Sequence, residues 1–388
     1  MKKVLYVVDK IEGGGATRII VRVANMLSDS YSPYLTSMVE SHGYSKYDLT
    51  QIEIVYSDVQ LGGNVFQKAY RLYLNVKAIV SIIKANEIDC VLSFLERSNF
   101  CAVLAAKITK KKVIISVRNN IDRQYSNFGG SALKAIKFLL SKVYSRADHI
   151  VSLSKGVKAQ LVTELSLNEN KVSTIYNPYY LEDYVKQQEW REKPTSPYFL
   201  AVGRLEEQKG FNHLIKAFYI YRELGGKNHL YILGDGVLKT YLNELVDYYE
   251  LKESVNIVGF TNNVKSYMHN AEAFIFSSLW EGFGNALVEA ILCSLPVIST
   301  DCDFGPAEIM CCQADAYPFN SKLGVLVSPF ELPFEKAVSR SSEENEMANV
   351  MFKFEPRNYK KEDFLKRAED FSFHNVKEKW SELVECVI

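Results

Sequence analysis

No stretch of this 388-residue chain approaches the roughly 18 consecutive apolar residues that a membrane-crossing helix requires. The apolar run near the N-terminus, Val4 to Val8, turns polar at Asp9 and is too short for the apolar centre of a signal peptide. The seven cysteines are an odd number without a Cys-x-x-Cys pair, poor material for a disulfide framework or a zinc site. The six histidines are scattered, none spaced as a metal-ligand pair on a helix. Short repeats and low-complexity tracts are absent. The hydrophobic fraction of 47% and charged fraction of 24% exclude disorder and collagen-like sequence. What remains is a soluble, cytoplasmic protein with free thiols, long enough for two domains.

Net charge is zero, with 46 cations against 46 anions, yet the two halves differ. Residues 1–180 carry 24 Lys and Arg against 14 Asp and Glu, a net +10, and residues 181–388 carry the opposite −10. Such an asymmetry fits a surface directed at phosphates or an anionic membrane, and it equally fits solvated charges scattered by chance.

Short apolar, β-branched runs alternate with longer amphipathic ones. The first series of strands is Val4–Val8, Tyr34–Val39, Ile52–Tyr56, Cys90–Phe94, Val113–Val117, His149–Leu153 and Val172–Tyr176. Helical spacing lies between them at Ala16–Leu27, Gln67–Lys84, Leu133–Ser145 and Gly156–Leu165. Asn177-Pro178 and a polar stretch through Ser196-Pro197 mark a linker. The alternation then restarts with strands Tyr198–Val202, His229–Leu233, Val255–Val258, Ala273–Phe276, Pro296–Ser299 and Val325–Val327. Helices Phe211–Glu223 and Leu238–Tyr249 accompany them. The prediction is an α/β chain of two doubly wound, Rossmann-like domains facing a deep cleft: residues 1–180, residues 195–365, and a C-terminal helix within 366–388 crossing back to the first domain. Ligands of such sheets bind at the carboxyl ends of strands.

Three segments carry chemistry. Glu12-Gly13-Gly14-Gly15-Ala16 joins the first strand to a helix, letting backbone approach an anion at a helix N-terminus, or simply making a tight turn. Its spacing is not that of a dinucleotide fingerprint, which disfavours a nicotinamide enzyme. Gly203-Arg204-Leu205-Glu206-Glu207-Gln208-Lys209-Gly210 sets two cations beside a helix start, where Lys209 is locally unfavourable unless an anion is bound. In Glu281-Gly282-Phe283-Gly284-Asn285-Ala286-Leu287-Val288-Glu289 the glutamates lie eight residues apart. On a helix that is a rise of about 12 Å, too long for a glycosidase pair but suited to hydroxyls at two ends of one extended ligand. Gly284 and Asn285 open the helix between them.

This set, with Gly234-Asp235-Gly236, Val258-Gly259-Phe260 and Leu295 to Cys302, resembles the retaining glycosyltransferases of the GT-B fold, family 4, over almost the whole chain. The resemblance implies that Arg204 and Lys209 hold the donor diphosphate, Glu281 meets the transferred sugar, Glu289 the ribose, and the loop at Phe260 the nucleobase. It extends donor contact to Gly14, Gly15, Gly203, Phe283, Gly284, Asn285, Ala286 and Leu287. Where many relatives carry a histidine after the fifth strand, this chain has Ser116-Val117-Arg118-Asn119, making Arg118 or Asn119 the sugar or acceptor contact. Asp301-Cys302-Asp303 matches the Asp-x-Asp of metal-dependent transferases, but cations and helix ends already serve the diphosphate, so no metal or other cofactor is expected.

The expected activity is transfer of a hexose or N-acetylhexosamine from a nucleoside diphosphate sugar, with UDP-galactose or UDP-N-acetylgalactosamine favoured. The expected acceptor is a lipid-diphosphate-linked saccharide of bacterial O-antigen or capsule synthesis. A nucleotide-sugar 2-epimerase and a catalytically silent nucleotide-binding subunit are the alternatives. Residues 66–171 carry 18 Lys and Arg against 7 Asp and Glu, interleaved with apolar residues at Lys77–Lys84 and Leu133–Leu140. That pattern predicts peripheral docking on the anionic inner face of the cytoplasmic membrane, no nucleic acid being involved, or else simply core helices with solvated lysines.

Overall fold

The structure, a computed structural model, describes residues 1–11, 15–38, 49, 52–54, 65–126, 128–185, 194–330 and 340–388. The chain divides into two compact units, Met1–Tyr179 with Phe371–Ile388, and Tyr180–Asp370.

The first unit holds a seven-stranded parallel sheet. Its strands are β1 (Lys2–Val8), β2 (Tyr31–Ser37), β3 (Glu53–Ile54), β4 (Cys90–Phe94), β5 (Lys112–Val117), β6 (His149–Ser152) and β7 (Val172–Thr174), in the order β3-β2-β1-β4-β5-β6-β7. Val4 to Val8 and Cys90 to Phe94 are almost fully buried, as strands covered on both faces must be. The connecting helices are α1 (Gly15–Leu27), α2 (Val65–Ala85), α3 (Glu96–Thr109), α4 (Ile121–Gln124), α5 (Gly130–Tyr144) and α6 (Lys155–Glu164).

The second unit repeats the plan in the order β10-β9-β8-β11-β12-β14-β13. Its strands are β8 (Tyr198–Val202), β9 (His229–Leu233), β10 (Val255–Gly259), β11 (Ala273–Phe276), β12 (Val297–Thr300), β13 (Phe319–Ser321) and β14 (Gly324–Val327). The edge strand β13 runs antiparallel and is not among the strands expected from the sequence. At three residues it is too short to leave a periodic signal. Helices α7 (Glu182–Val185), α8 (Phe211–Glu223), α9 (Lys239–Tyr248), α10 (Val264–Asn270), α11 (Asn285–Leu292), α12 (Pro306–Ile309), α13 (Ser342–Lys353) and α14 (Lys361–Ala368) cover the sheet or lie at its ends.

The chain ends in two helices, of which the second is the helix expected within residues 366–388. A 3-10 turn, Glu369–Phe371, separates α14 from α15 (Phe373–Val387). In α15, Val376, Trp380 and Val384 fall four residues apart and join the core beneath β1 and β4. Trp380 is 1% exposed and stacks on Phe94 with ring centroids 6.1 Å apart. The backbone pairs Tyr179 with Phe371 and Phe373 through hydrogen bonds of 2.9 and 2.8 Å, fastening the returning chain to the first unit.

Candidate active site

In the second sheet β8 and β11 are neighbours, and the strand order runs outward from them in both directions. Such a reversal opens a crevice beyond the carboxyl ends of the two strands. From β8 the chain enters Gly203 and Arg204, then a 3-10 turn at Glu207–Lys209 that ends on Gly210, the N-cap of α8. From β11 it runs through Ser277 to Glu281 and enters α11 at Gly284. Gly210 has φ +59, and a Cβ there would lie 2.2 Å from the Ser277 carbonyl oxygen, so glycine lets the two loops touch.

The loops are stitched together by hydrogen bonds. The Leu279 N–H donates to the Gln208 carbonyl at 2.8 Å, and the Ser277 hydroxyl to the Lys209 carbonyl at 2.8 Å. At the centre Lys209 Nζ pairs with Glu281 Oε1, which also accepts from the Ser278 hydroxyl at 2.9 Å. Gln208 Nε2 donates to Glu281 Oε2 at 3.2 Å and to the Trp280 carbonyl at 2.9 Å. Glu281 is 7% exposed. Lys209 is therefore not the uncompensated cation that its place before a helix suggests. It ends a 3-10 turn rather than opening the α-helix, and a carboxylate of the chain itself neutralises it.

Arg204 stands differently. Its side chain is 69% exposed, with Nη1 2.9 Å from Glu206 Oε1, a rim pair that solvent screens. Asn285 is exposed and Ala286 half-buried at the start of α11, which no side chain caps. Glu289 sits half-buried one turn further on. Phe260 follows β10 and is 77% exposed. Phe283 and Leu287, by contrast, are fully buried, so only their backbone can face a ligand. Asp301 accepts from the Tyr317 hydroxyl at 2.6 Å, and the Asp303 carbonyl accepts from the Glu281 N–H at 3.1 Å. Among the described residues no cluster of three or more His, Cys, Asp or Glu could hold a metal ion.

In the first unit the corresponding reversal falls between β1 and β4. Gly14 lies outside the described residues, and Gly15 is the first residue of α1. Arg118 is turned inward: Nη1 donates to Ser116 Oγ at 3.2 Å, Nη2 to Asn177 Oδ1, and the guanidinium lies 5.0 Å from the Phe94 ring centroid. Burial lowers its pKa to about 10. Its side chain is thus committed within the fold, and of the two residues proposed after the fifth strand only Asn119 keeps a partly open side chain. Asn119 reaches Gln124 Oε1 at 3.3 Å and Glu96 Oε1 at 3.5 Å.

Sequence reasoning passed over Gln208, inside a motif read for its charges, and Ser278, between the strand Ala273–Phe276 and the segment that begins at Glu281. It also passed over Asp9, directly after β1, and Glu96, two residues after β4, their place at strand ends being the one sequence signal that could have found them. Asp9 Oδ1 accepts from the Ser98 N–H at 2.9 Å and from its hydroxyl. Burial raises both carboxyls above their usual range, and Asp9 raises Glu96 further. Glu96 opens α3 behind Leu95, a non-glycine residue at φ +78.

Residues 13–183 match the family described as Glycosyltransferase Family 4, and residues 184–322 match Glycosyl transferases group 1. An uncharacterized glycosyltransferase of Methanocaldococcus jannaschii is 31% identical over 350 residues, covering 82% of this chain and 84% of its own. The N-acetylgalactosamine-N,N'-diacetylbacillosaminyl-diphospho-undecaprenol 4-alpha-N-acetylgalactosaminyltransferase of Campylobacter jejuni is 30% identical over 311 residues, 80% of this chain and 83% of its own. The crystal structure of HepE from Anabaena, in complex with UDP and glucose, superposes with a TM-score of 0.76. That match covers 99% of this chain and 100% of HepE at 16% identity, a likeness of fold.

Proposed function

The chain is a glycosyltransferase of family 4 with the GT-B fold, and we propose that it moves a hexose or N-acetylhexosamine, with retention of configuration, from a UDP-sugar to a lipid-diphosphate-linked saccharide. The observation that carries this reading is the ion-paired cluster of Lys209 and Glu281 beyond β8 and β11, with Arg204 exposed beside it. Arg204 and Lys209 receive the diphosphate, whose negative charge grows as the glycosidic bond breaks. Glu281 accepts from a hydroxyl of the transferred sugar and Glu289 from the ribose. The first turn of α11 offers backbone N–H groups to the phosphates, and exposed Phe260 lies where the base would rest. In the first unit Asn119 and Glu96 face the acceptor.

UDP-N-acetylgalactosamine is the preferred donor in this reading, supported by the name of the Campylobacter relative, which also specifies a diphospho-undecaprenol acceptor. That acceptor class belongs to surface-polysaccharide synthesis such as O-antigen assembly. It also calls for work at a membrane surface. Among the described residues no helix is long and apolar enough to cross a membrane. On α5, however, Phe138 and Leu139 are 66% and 51% exposed beside exposed Lys134 and Lys142. Large apolar side chains flanked by cations suit an anionic lipid interface.

The test is a screen of UDP- and GDP-sugars for turnover with diphospho-undecaprenol-linked saccharides, with products read by mass spectrometry. Transfer from a UDP-sugar is expected. Turnover of GDP-sugars alone would move the donor assignment, and release of an epimerised free sugar would replace transfer by epimerisation.

A further inference from the structure

Lys209 has two claims on it. In the structure it neutralises Glu281, and in the transferase reading it turns to the donor diphosphate. The second role strips a carboxylate that is 7% exposed of its counter-charge at the moment it must accept from the sugar. An unpartnered buried carboxylate is costly and free to rotate away. Something else must hold it.

Two neutral donors are in place. Gln208 Nε2 bonds Glu281 Oε2 at 3.2 Å, the oxygen that Lys209 leaves alone, and Ser278 bonds Oε1 at 2.9 Å. Gln208 is itself pinned, because the same nitrogen reaches the Trp280 carbonyl at 2.9 Å and its own carbonyl takes the Leu279 N–H at 2.8 Å. Ser278 is 1% exposed, and its carbonyl accepts from the Thr300 hydroxyl at 2.7 Å. Neither donor carries charge, so neither competes with Lys209 for a phosphate.

We propose that Gln208, seconded by Ser278, is a positioning residue that holds the Glu281 carboxylate toward the sugar when Lys209 turns to the diphosphate. This rests on the transferase reading above. Gln208 acts through Glu281 and not by touching the donor. Its loss therefore weakens the chemical step while leaving nucleotide affinity alone.

The test compares Gln208→Leu, Gln208→Glu, Glu281→Gln and the double variant Gln208→Leu/Glu281→Gln on the nucleotide sugar that wild-type protein turns over fastest, with UDP affinity measured by calorimetry. Gln208→Leu is expected to lower kcat about tenfold or more, with KM and the UDP dissociation constant within about twofold of wild type. Gln208→Glu, which sets a like charge against Glu281, lowers kcat further. In the Glu281→Gln background Gln208→Leu lowers kcat by less than about twofold, because the group it acts through is gone. An unchanged kcat, an equal loss in both backgrounds, or a matching rise in KM and UDP dissociation constant overturns the proposal and leaves the transferase reading intact. Wild-type turnover by Glu281→Gln, or no nucleotide sugar turned over at all, means that the reading itself has failed, and the proposal falls with it.

Discussion

Lys209 Nζ, on the turn that follows β8, is ion-paired with Glu281 Oε1, on the loop that follows β11. The two strands are adjacent in the sheet, and their loops are joined by backbone and side-chain hydrogen bonds. These groups are thus held against each other rather than against solvent, and in the proposed function a donor takes Lys209 from its internal partner.

In the proposed function Arg204 and Lys209 serve the same diphosphate from different settings, and their alanine variants separate activity from stability. Each is expected to lower kcat about 100-fold or more, since fixed cations act most strongly on the leaving diphosphate. Arg204→Ala leaves stability unchanged in urea unfolding, its ion pair being exposed. Lys209→Ala strands a buried carboxylate and costs about 3 kcal/mol. Adding Glu281→Gln restores much of that stability and none of the activity. A Lys209→Ala protein as stable as wild type would show that the pair does not form in solution.

An α-linked donor is expected to give an α-linked product, with turnover persisting in EDTA. In the proposed function two cations and a helix N-terminus face the diphosphate, so no divalent ion is required there. The product anomer is read by NMR. A β-linked product, or complete loss of turnover in EDTA, contradicts this.

Burial raises the Glu96 carboxyl, which makes ionisation unfavourable in the folded state. A carboxyl raised on folding adds nothing unfavourable while protonated in both states. It withdraws stability as pH climbs from its ordinary range through its folded value. Glu96→Gln should therefore melt higher than wild type at neutral pH, with the difference vanishing below about pH 4. Equal melting temperatures at both pH values would contradict a raised Glu96. Asn119 keeps its contact in this variant, so loss of transfer in a stabilised protein would also mark Glu96 as part of the acceptor side.

The double alternation of strands and helices was legible because buried parallel strands are uniformly apolar and the helices are amphipathic. Edge strand β13 was not, since three residues carry no period. The Arg204, Lys209, Glu281 and Glu289 motifs stood out by charge and glycine spacing. Their pairing did not, because the contact between Lys209 and Glu281 joins residues far apart in sequence that only adjacency of β8 and β11 brings together. Arg118 reads as a ligand group in sequence for the same reason: the partners that bury it, Phe94 and Asn177, come from other segments. Lys137, a cation of the basic segment Leu133–Leu140 that the sequence offers to a membrane, is ion-paired with Asp122 and lies 2.6 Å from Glu164.

That pairing decides which residues test docking on a membrane. The cations to reverse are Lys134 and Lys142, not Lys137, and the apolar residues to replace are Phe138 and Leu139. Flotation with vesicles containing an anionic phospholipid is expected to recover the wild-type protein at low salt and less of it as salt shortens the Debye length. Lys134→Glu/Lys142→Glu and Phe138→Ser/Leu139→Ser should each reduce recovery. Equal recovery with neutral and anionic vesicles would contradict docking through α5.

Calorimetric titration with UDP tests the central claim, that the diphosphate binds where Lys209 and Glu281 now pair. The account predicts that Arg204→Ala and Lys209→Ala each weaken UDP about tenfold or more, through loss of charge-assisted contacts to phosphate. It predicts that Glu281→Gln binds UDP at least as tightly as wild type, because Lys209 no longer has to leave a carboxylate. Wild-type affinity for UDP in Lys209→Ala, or a loss in Glu281→Gln matching that in Lys209→Ala, would contradict it.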